Sequence, residues 1–373
     1  ALPCRQCQLA RLRRQISQPI YMASTMIDAL WGWPPPVLDP AGPYSGRVTT
    51  LAWSLFGLGA FVTLVVVLAL WVAIKGPDKW KARLGGERAI WIGGVAFPGI
   101  VLTALLVWGL TLTASLTEPI RGDEMRIRVT GEMWWFRVQY LDPSGAVVME
   151  DANEIHIPVG RPVVLELESA DVIHSFWVPH LSGKKDMIPG RRTLLRIEAD
   201  RAGEFGGVCA EYCGRQHALM GFVAVAHEDG DFREWYAERN ERLVSAGMDI
   251  PSQVEPSSTS LMQGSEGSTD TRPDAGADAN PGQLSGRTLF MQSGCAACHR
   301  VAGTEANGLA GPDLTHVGSR RTLGAGILPN NRGTLIGWIG DSQSLKPGNR
   351  MPSYDMLNAD ELEAIAIWLE QQK

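Results

Sequence analysis

The segment Cys209-Ala-Glu-Tyr-Cys213-Gly-Arg-Gln-His217-Ala-Leu-Met220 offers two thiols, an imidazole and a thioether within twelve residues. A second imidazole, His174, lies upstream in Asp171-Val-Ile-His-Ser-Phe-Trp. Thiolate, imidazole and a weak thioether together favour copper. One copper needs only one cysteine. Two cysteines four apart, two histidines and a methionine suit two coppers bridged by both sulfurs. An electron shared by two metals and several soft ligands demands little change of geometry, which favours fast transfer. A plain helix face is one competing reading, because 209, 213 and 217 fall at helical spacing. Gly206, Gly207, Gly214 and Gly221 point instead to a loop between strands. A Cys2His2 zinc site is the other, and Met220, three positions after His217, favours copper over it.

Cys295-Ala-Ala-Cys298-His299 has the C-x-x-C-H spacing of covalent haem attachment. The two thiols would add across the haem vinyl groups, and His299 would bind iron from the proximal side. A short disulfide or a zinc knuckle is the competing reading. The flanking helical segments and the run Gly311-Pro-Asp-Leu314 favour haem. The sixth ligand should come from late in the chain. Met351, in Asn349-Arg-Met-Pro352, is placed for it, since proline stiffens the loop that carries the sulfur. Met356 and His316 are the competitors. His/Met ligation raises the haem potential, as an onward electron carrier requires.

These residues need elements to hold them, and the 373-residue chain is long enough for two or three domains. Val48–Ile74 and Ala89–Leu116 are almost wholly apolar, and each exceeds the roughly 20 residues that cross a bilayer as a helix. Buried core helices would need complete enclosure, and nothing here is large enough to wrap two of them. Lys75, Lys79, Lys81, Arg83 and Arg88 crowd the connection between the two runs, so it should be cytoplasmic and the rest external. Residues 48–116 are therefore a transmembrane hairpin. Residues 1–47 precede it, with Arg5, Arg11, Arg13 and Arg14 like the basic start of an export signal. Cys4 and Cys7 have no ligand partner nearby and read as incidental to the chemistry.

Residues 117–248 read as an all-β domain. Met125–Thr130, Trp134–Tyr140, Glu154–Ile157, Pro162–Glu168, Thr193–Ile197 and Phe222–Ala226 are rich in Val, Ile and aromatics and are separated by turn signals. This predicts an antiparallel sandwich or barrel, followed by a helical tail over Asp231–Ala246. His156, His180 and His227 have no ligand-like partners in sequence and read as surface or sheet histidines. Residues 249–282 are mostly Ser, Gly, Pro, Asp, Ala and Thr, which predicts a flexible linker. Residues 283–373 form an all-α domain with amphipathic helices expected over Leu284–Gln292 and Ala359–Gln371. The net charge of -6 argues against nucleic acid as a partner.

The pattern C-x-E-x-C-x-x-x-H-x-x-M with an upstream D-x-x-H-S resembles the CuA site of haem-copper oxidase subunit II. The likeness covers about residues 37–245. It implies a cupredoxin-like barrel in which Cys209 and Cys213 bridge two copper ions, His174 and His217 bind one each, and Met220 binds weakly. It further implies that the Glu211 main-chain carbonyl is a ligand and that its side chain faces a magnesium site shared with the catalytic subunit. Gly131-Glu-Met-Trp134-Trp135-Phe136 resembles the family's aromatic segment, with Trp134 at the position where electrons come in. Met133 and Phe136 depart from its usual Gln and Trp. Glu87 is near, but not in register with, the family's glutamate at the start of the second helix.

Residues 283–373 resemble class I cytochrome c. The fusion resembles the caa-type oxidases of bacteria. It implies subunit II of a terminal cytochrome c oxidase, taking electrons from cytochrome c or another donor through haem c and CuA to a catalytic subunit I that reduces dioxygen. That subunit and further oxidase subunits are the implied partners, in the bacterial plasma membrane with both redox domains on the outer side. The linker would act by keeping the haem at high effective concentration near the copper. Neither apolar run contains a histidine, so an oxygen-reducing site must lie on another chain. A CuA subunit of a nitric oxide reductase and a redox-inactive scaffold subunit are the competing readings.

Overall fold

The computed structural model describes residues 35–117, 124–245 and 284–373. Cys4, Cys7, the export-signal residues and the 249–282 linker lie outside the described residues. Helix α1 (Pro43–Lys75) and helix α3 (Glu87–Leu116) are the two apolar helices, joined through the short α2 (Asp78–Leu84). At about 1.5 Å per residue each is longer than a bilayer's hydrocarbon core. Beyond the buried Ser45 and Thr49 at the start of α1, their apolar side chains face outward, as Phe61, Leu64, Ile100 and Leu106 do. Within α3, Pro98 has no N–H to give to Gly94, and the preceding turn, Ile92–Ala96, widens into a π segment. The Arg47 guanidinium, near the start of α1, donates to the Ser115 carbonyl near the end of α3, at 3.3 Å. The two outer ends of the hairpin therefore meet.

Ten strands follow: β1 (Met125–Glu132), β2 (Trp135–Leu141), β3 (Val147–Ala152), β4 (Glu154–Pro158), β5 (Val163–Ser169), β6 (His174–Trp177), β7 (Lys185–Met187), β8 (Thr193–Ile197), β9 (Gly203–Cys209) and β10 (Gly221–His227). They form two five-stranded sheets, ordered β3-β2-β1-β5-β8 and β4-β10-β9-β6-β7. The sheets are mixed rather than antiparallel, because β1 pairs with β5 and β4 with β10 in parallel. Such pairs need long crossovers rather than tight turns, and the turn signals alone did not reveal them. Alternation along β1 buries Ile127 and Val129 and turns Arg126 and Arg128 toward Glu166 on β5. Phe136, Phe176 and Phe222 meet between the sheets, with centroids 4.4 to 6.2 Å apart.

Gly206 and Gly207 lie inside β9 rather than in a loop. Gly207 is opposite Phe222, and a Cβ there would sit 2.2 Å from the phenyl ring. The glycine makes room for the aromatic core. Helix α4 (Asp229–Ser245) closes the domain, stacking Trp235 on His156 at 4.1 Å. His156 is thus fully buried, not a surface residue. Its Nε2 meets Glu154 at 2.8 Å and its Nδ1 meets His227 Nε2 at 2.7 Å. His180 is outside the strands and bonds the Asp39 carbonyl.

The last domain packs α5 (Gly286–Gln292) against α8 (Ala359–Glu370), with α6 (Arg332–Gly340) and α7 (Ser342–Leu345) between them in sequence. Gly286 sits on the Ala364 carbonyl, where a Cβ would come within 2.1 Å, and Phe290 packs on Trp368 at 5.0 Å. Asn358 and Glu361 form a capping box that starts α8. A two-stranded ribbon, β11 (Thr322–Leu323) and β12 (Leu328–Pro329), interrupts the helical pattern.

Candidate copper and haem sites

Strand β9 ends at Cys209, and β6 runs beside it, which brings His174 to the same edge. Gly131 has no Cβ where one would press within 2.8 Å of the His174 ring. The loop from 210 to 220 then folds back. Cys209 N–H donates to the Met220 carbonyl at 2.9 Å, and a single 3-10 turn, His217–Leu219, presents the second imidazole. A helix face over 209–217 is therefore not what forms. Gly214, at φ +112°, makes the turn that other residues resist.

All the residues named for copper come together. The Cys209 and Cys213 sulfurs are 3.7 Å apart. His174 Nδ1 is 3.8 Å from Cys209 Sγ, and His217 Nδ1 is 3.6 Å from Cys213 Sγ. Met220 Sδ is 3.8 Å from Cys213 Sγ, and the Glu211 carbonyl is 3.3 Å from Cys209 Sγ. Metal–thiolate bonds are about 2.3 Å long, so sulfurs at this spacing can share an ion. The donor set, two soft sulfurs with an imidazole beside each, fits a dinuclear copper centre. The Glu211 side chain points away and meets Lys184 at 3.3 Å.

The charges suit a cation. The Cys213 thiol beside Cys209 favours a thiolate there and holds the Cys209 pKa well below the usual thiol range. That same contact and burial push Cys213 upward. Metal binding would displace the remaining proton. His174 is pulled down by burial, but Cys209 and Asp171 outweigh this and raise its pKa. Asp171 accepts from His174 Nε2 at 2.8 Å, which leaves Nδ1 aimed at the sulfurs. Asp171 was not singled out as a site residue from sequence. The three-residue spacing to His174 was the signal.

Cys295, Cys298, His299 and Met351 line one cleft, floored by Leu314, Leu323 and Trp338. His299 Nδ1 donates to the Pro312 carbonyl at 2.7 Å, so Nε2 is the nitrogen free for iron. Gly311 lets the chain pass the imidazole, since a Cβ there would lie 2.7 Å from it. The apolar cleft, two thiols and an oriented imidazole fit a covalently held haem. Met356 is 73% exposed and lies outside the cleft. His316 is buried elsewhere in the domain and does not line the cleft either.

Trp134 belongs to both sites. It lies in the turn between β1 and β2, just before the strand that was expected to contain it. Its indole Nε1 donates to the Cys213 carbonyl at 2.9 Å, while the residue also lines the haem cleft. The two domains are docked around it. Lys346 Nζ, buried, donates to the Trp134, Leu219 and Gly324 carbonyls at 2.7, 2.7 and 2.9 Å. Burial pulls its pKa down to about 7, against the nearby Cys213 charge. Asp151 of β3 meets Arg320 at 2.7 Å and Arg239 of α4 at 3.4 Å. Burial opposes its ionisation, yet the two guanidiniums hold its pKa at about 2. Nothing in the sequence paired these residues, because their partners are far away along the chain.

A family model described as cytochrome c oxidase subunit II, periplasmic domain, matches residues 125–227, and one described as cytochrome c matches 284–373. The cytochrome c oxidase subunit 2 of Alkalihalophilus pseudofirmus is 33% identical over 347 residues, covering 90% of each chain. That of Bacillus subtilis is 26% identical over 361 residues, covering 90% of this chain and 91% of the relative. The solved periplasmic domain of subunit II of cytochrome oxidase from Bradyrhizobium japonicum is 29% identical, covers 33% of this chain and 97% of that one, and superposes with a TM-score of 0.30. On the likeness to the A. pseudofirmus protein along nine-tenths of both chains, this chain belongs to the cytochrome c oxidase subunit 2 family.

Proposed function

We propose that this chain passes electrons from cytochrome c or another donor, through a covalent haem c and then CuA, to the catalytic subunit of a dioxygen-reducing oxidase. The observation that carries the order is Trp134, which lines the haem cleft and donates to the carbonyl of Cys213. Bound haem and copper supply one-electron oxidation and reduction. The chain's own residues orient the ligands: Asp171 turns His174, the Pro312 carbonyl turns His299, and the aromatic core packs β6 against β10. Cys209, Cys213 and Met220 are buried, which keeps water from the soft ligands. Met351 is the sixth haem ligand in this reading, and Cys295 and Cys298 are the attachment points.

Three finer assignments belong to the same reading. The Glu211 side chain, half exposed beside Lys184, would hold magnesium at the contact with the catalytic subunit. The apolar hairpin would sit in the lipid bilayer against further oxidase subunits, with the basic 75–88 connection in the cytoplasm. Both redox domains would then lie on the outer side of a bacterial plasma membrane. A nitric oxide reductase subunit or a redox-inactive scaffold is not favoured, because the ligand set is complete and the matched relatives are named cytochrome c oxidase subunit 2.

The test is purification from membranes in mild detergent. Expected are co-purifying oxidase subunits, two coppers and one haem c per chain, and dioxygen uptake with reduced cytochrome c. Zinc in place of copper, or uptake of nitric oxide without dioxygen, would refute it. Thiol labelling of Ser285→Cys in sealed cells should succeed from outside.

A further inference from the structure

The two redox sites are joined by a cation that neither ligand set uses. Lys346 is 2% exposed. An ammonium has three donors and no acceptor, and here all three find main-chain carbonyls, at 2.7 to 2.9 Å. Among the described residues, no carboxylate is paired with it. A buried charge with no carboxylate beside it is costly unless fixed dipoles replace its water. An apolar side chain of the same length would avoid that cost, so the charge calls for an explanation other than packing.

The three carbonyls belong to three different segments. Trp134 is the turn whose indole reaches Cys213. Leu219 stands in the copper loop between His217 and Met220. Gly324 belongs to the haem domain, where it lines the cleft. One ammonium therefore holds the haem cleft, the indole and the copper loop at fixed separations. Its three hydrogen bonds go to backbone rather than to a ligand side chain. Neighbouring contacts repeat the alignment: Gln216 donates to the Pro347 carbonyl at 2.5 Å, and Gly221 N–H to the Ala325 carbonyl at 2.9 Å.

We infer that Lys346 is a positioning residue for haem-to-copper electron transfer, clamping the two domains in the docked state in which transfer occurs. Electron transfer through protein falls steeply with distance. A clamp that removes relative motion sets the rate without changing either site's chemistry. In this arrangement the electron step is intramolecular and needs no encounter between free domains.

The inference rests on the function proposed above, and the experiment separates the two. The full chain, loaded with copper and haem, receives an electron at the haem from a photoexcited ruthenium complex, and reduction of the copper is followed optically. Wild-type transfer should be independent of viscosity across a several-fold range of added glycerol. Lys346→Met should keep both optical spectra, slow the transfer at least tenfold and make it viscosity-dependent, while Lys346→Arg should restore part of the rate. A variant rate within twofold of wild type overturns the inference. So does a viscosity-dependent wild-type rate, a measurement that requires no variant to fold. Wild-type protein that holds no haem or no dinuclear copper would instead overturn the functional reading itself.

Discussion

Met351 and Met356 stand five positions apart and differ completely in surroundings. Met351 packs on the haem-domain core and lines the cleft, and its N–H is fixed by the Asn349 side chain at 2.7 Å. Met356 projects into solvent. With Cys295 and Cys298 as the attachment points of the proposed function, Met351→Ala should keep the haem but lower its potential and let carbon monoxide bind the iron. Met356→Ala should do neither. Carbon monoxide difference spectra of the two variants decide between them, and an unaltered spectrum in Met351→Ala would shift the assignment. The candidate ligands were readable from sequence because their types are rare and their spacing is chemical. Asp171 and Lys346 were not, because an acid and a lysine are common and their roles depend on what they face.

At the scale of elements, β9 is the instructive case. A stretch with Gly206 and Gly207 reads as a loop, since glycine weakens strands. Pairing with β10 on one side and β6 on the other overrides that weakness, and Phe222 requires the missing side chain. Gly207→Ala should therefore overpack the sandwich and destabilise it by about 1–3 kcal/mol, read as a lower thermal midpoint with the copper ligands unchanged. A neutral effect would mean that the Phe222 ring can swing away. The same strand delivers Cys209 to the site, so the placement of that thiol depends on a strand that glycine lets pack. The histidines show the converse. His156 alternates like any strand residue, yet Trp235 of a later helix covers it, and only that packing makes it a buried group.

Across the whole molecule, the domains meet through charges as well as through Trp134. Arg321 of the haem domain gives its N–H to Glu154 at 2.8 Å and its side chain to Glu204 at 2.9 Å. His227 lies within this junction. Burial, then His156, then Arg321 lower its pKa from 6.5 to about 4, against Asp231 and Glu154. A histidine held neutral in the fold leaves the unfolded chain binding more protons between these values. Its contribution is therefore complete above about pH 6.5 and is lost as pH falls toward 4. The ring is partly exposed, so after screening the loss from pH 7 to 5 should be about 1 kcal/mol. Thermal unfolding at the two pH values measures it, and His227→Phe should flatten the difference. An equal loss in the variant would assign the effect to other groups.

The sequence by itself determined the candidate ligand set, the apolar hairpin and the three-part order of domains. Each is a local property: a side-chain type, a spacing, or an apolar run long enough to cross a bilayer. What only the tertiary structure decided is how these parts face one another. The parallel pairings of β1 with β5 and β4 with β10, the burial of His156 under Trp235, and the docking that sets Trp134 between copper loop and haem cleft all join residues distant along the chain. Contacts of that kind arise when several marginal surfaces are buried together, and no single segment carries their signature. Lys346 is the clearest instance, since its position in the sequence gives no hint of the three carbonyls that enclose it.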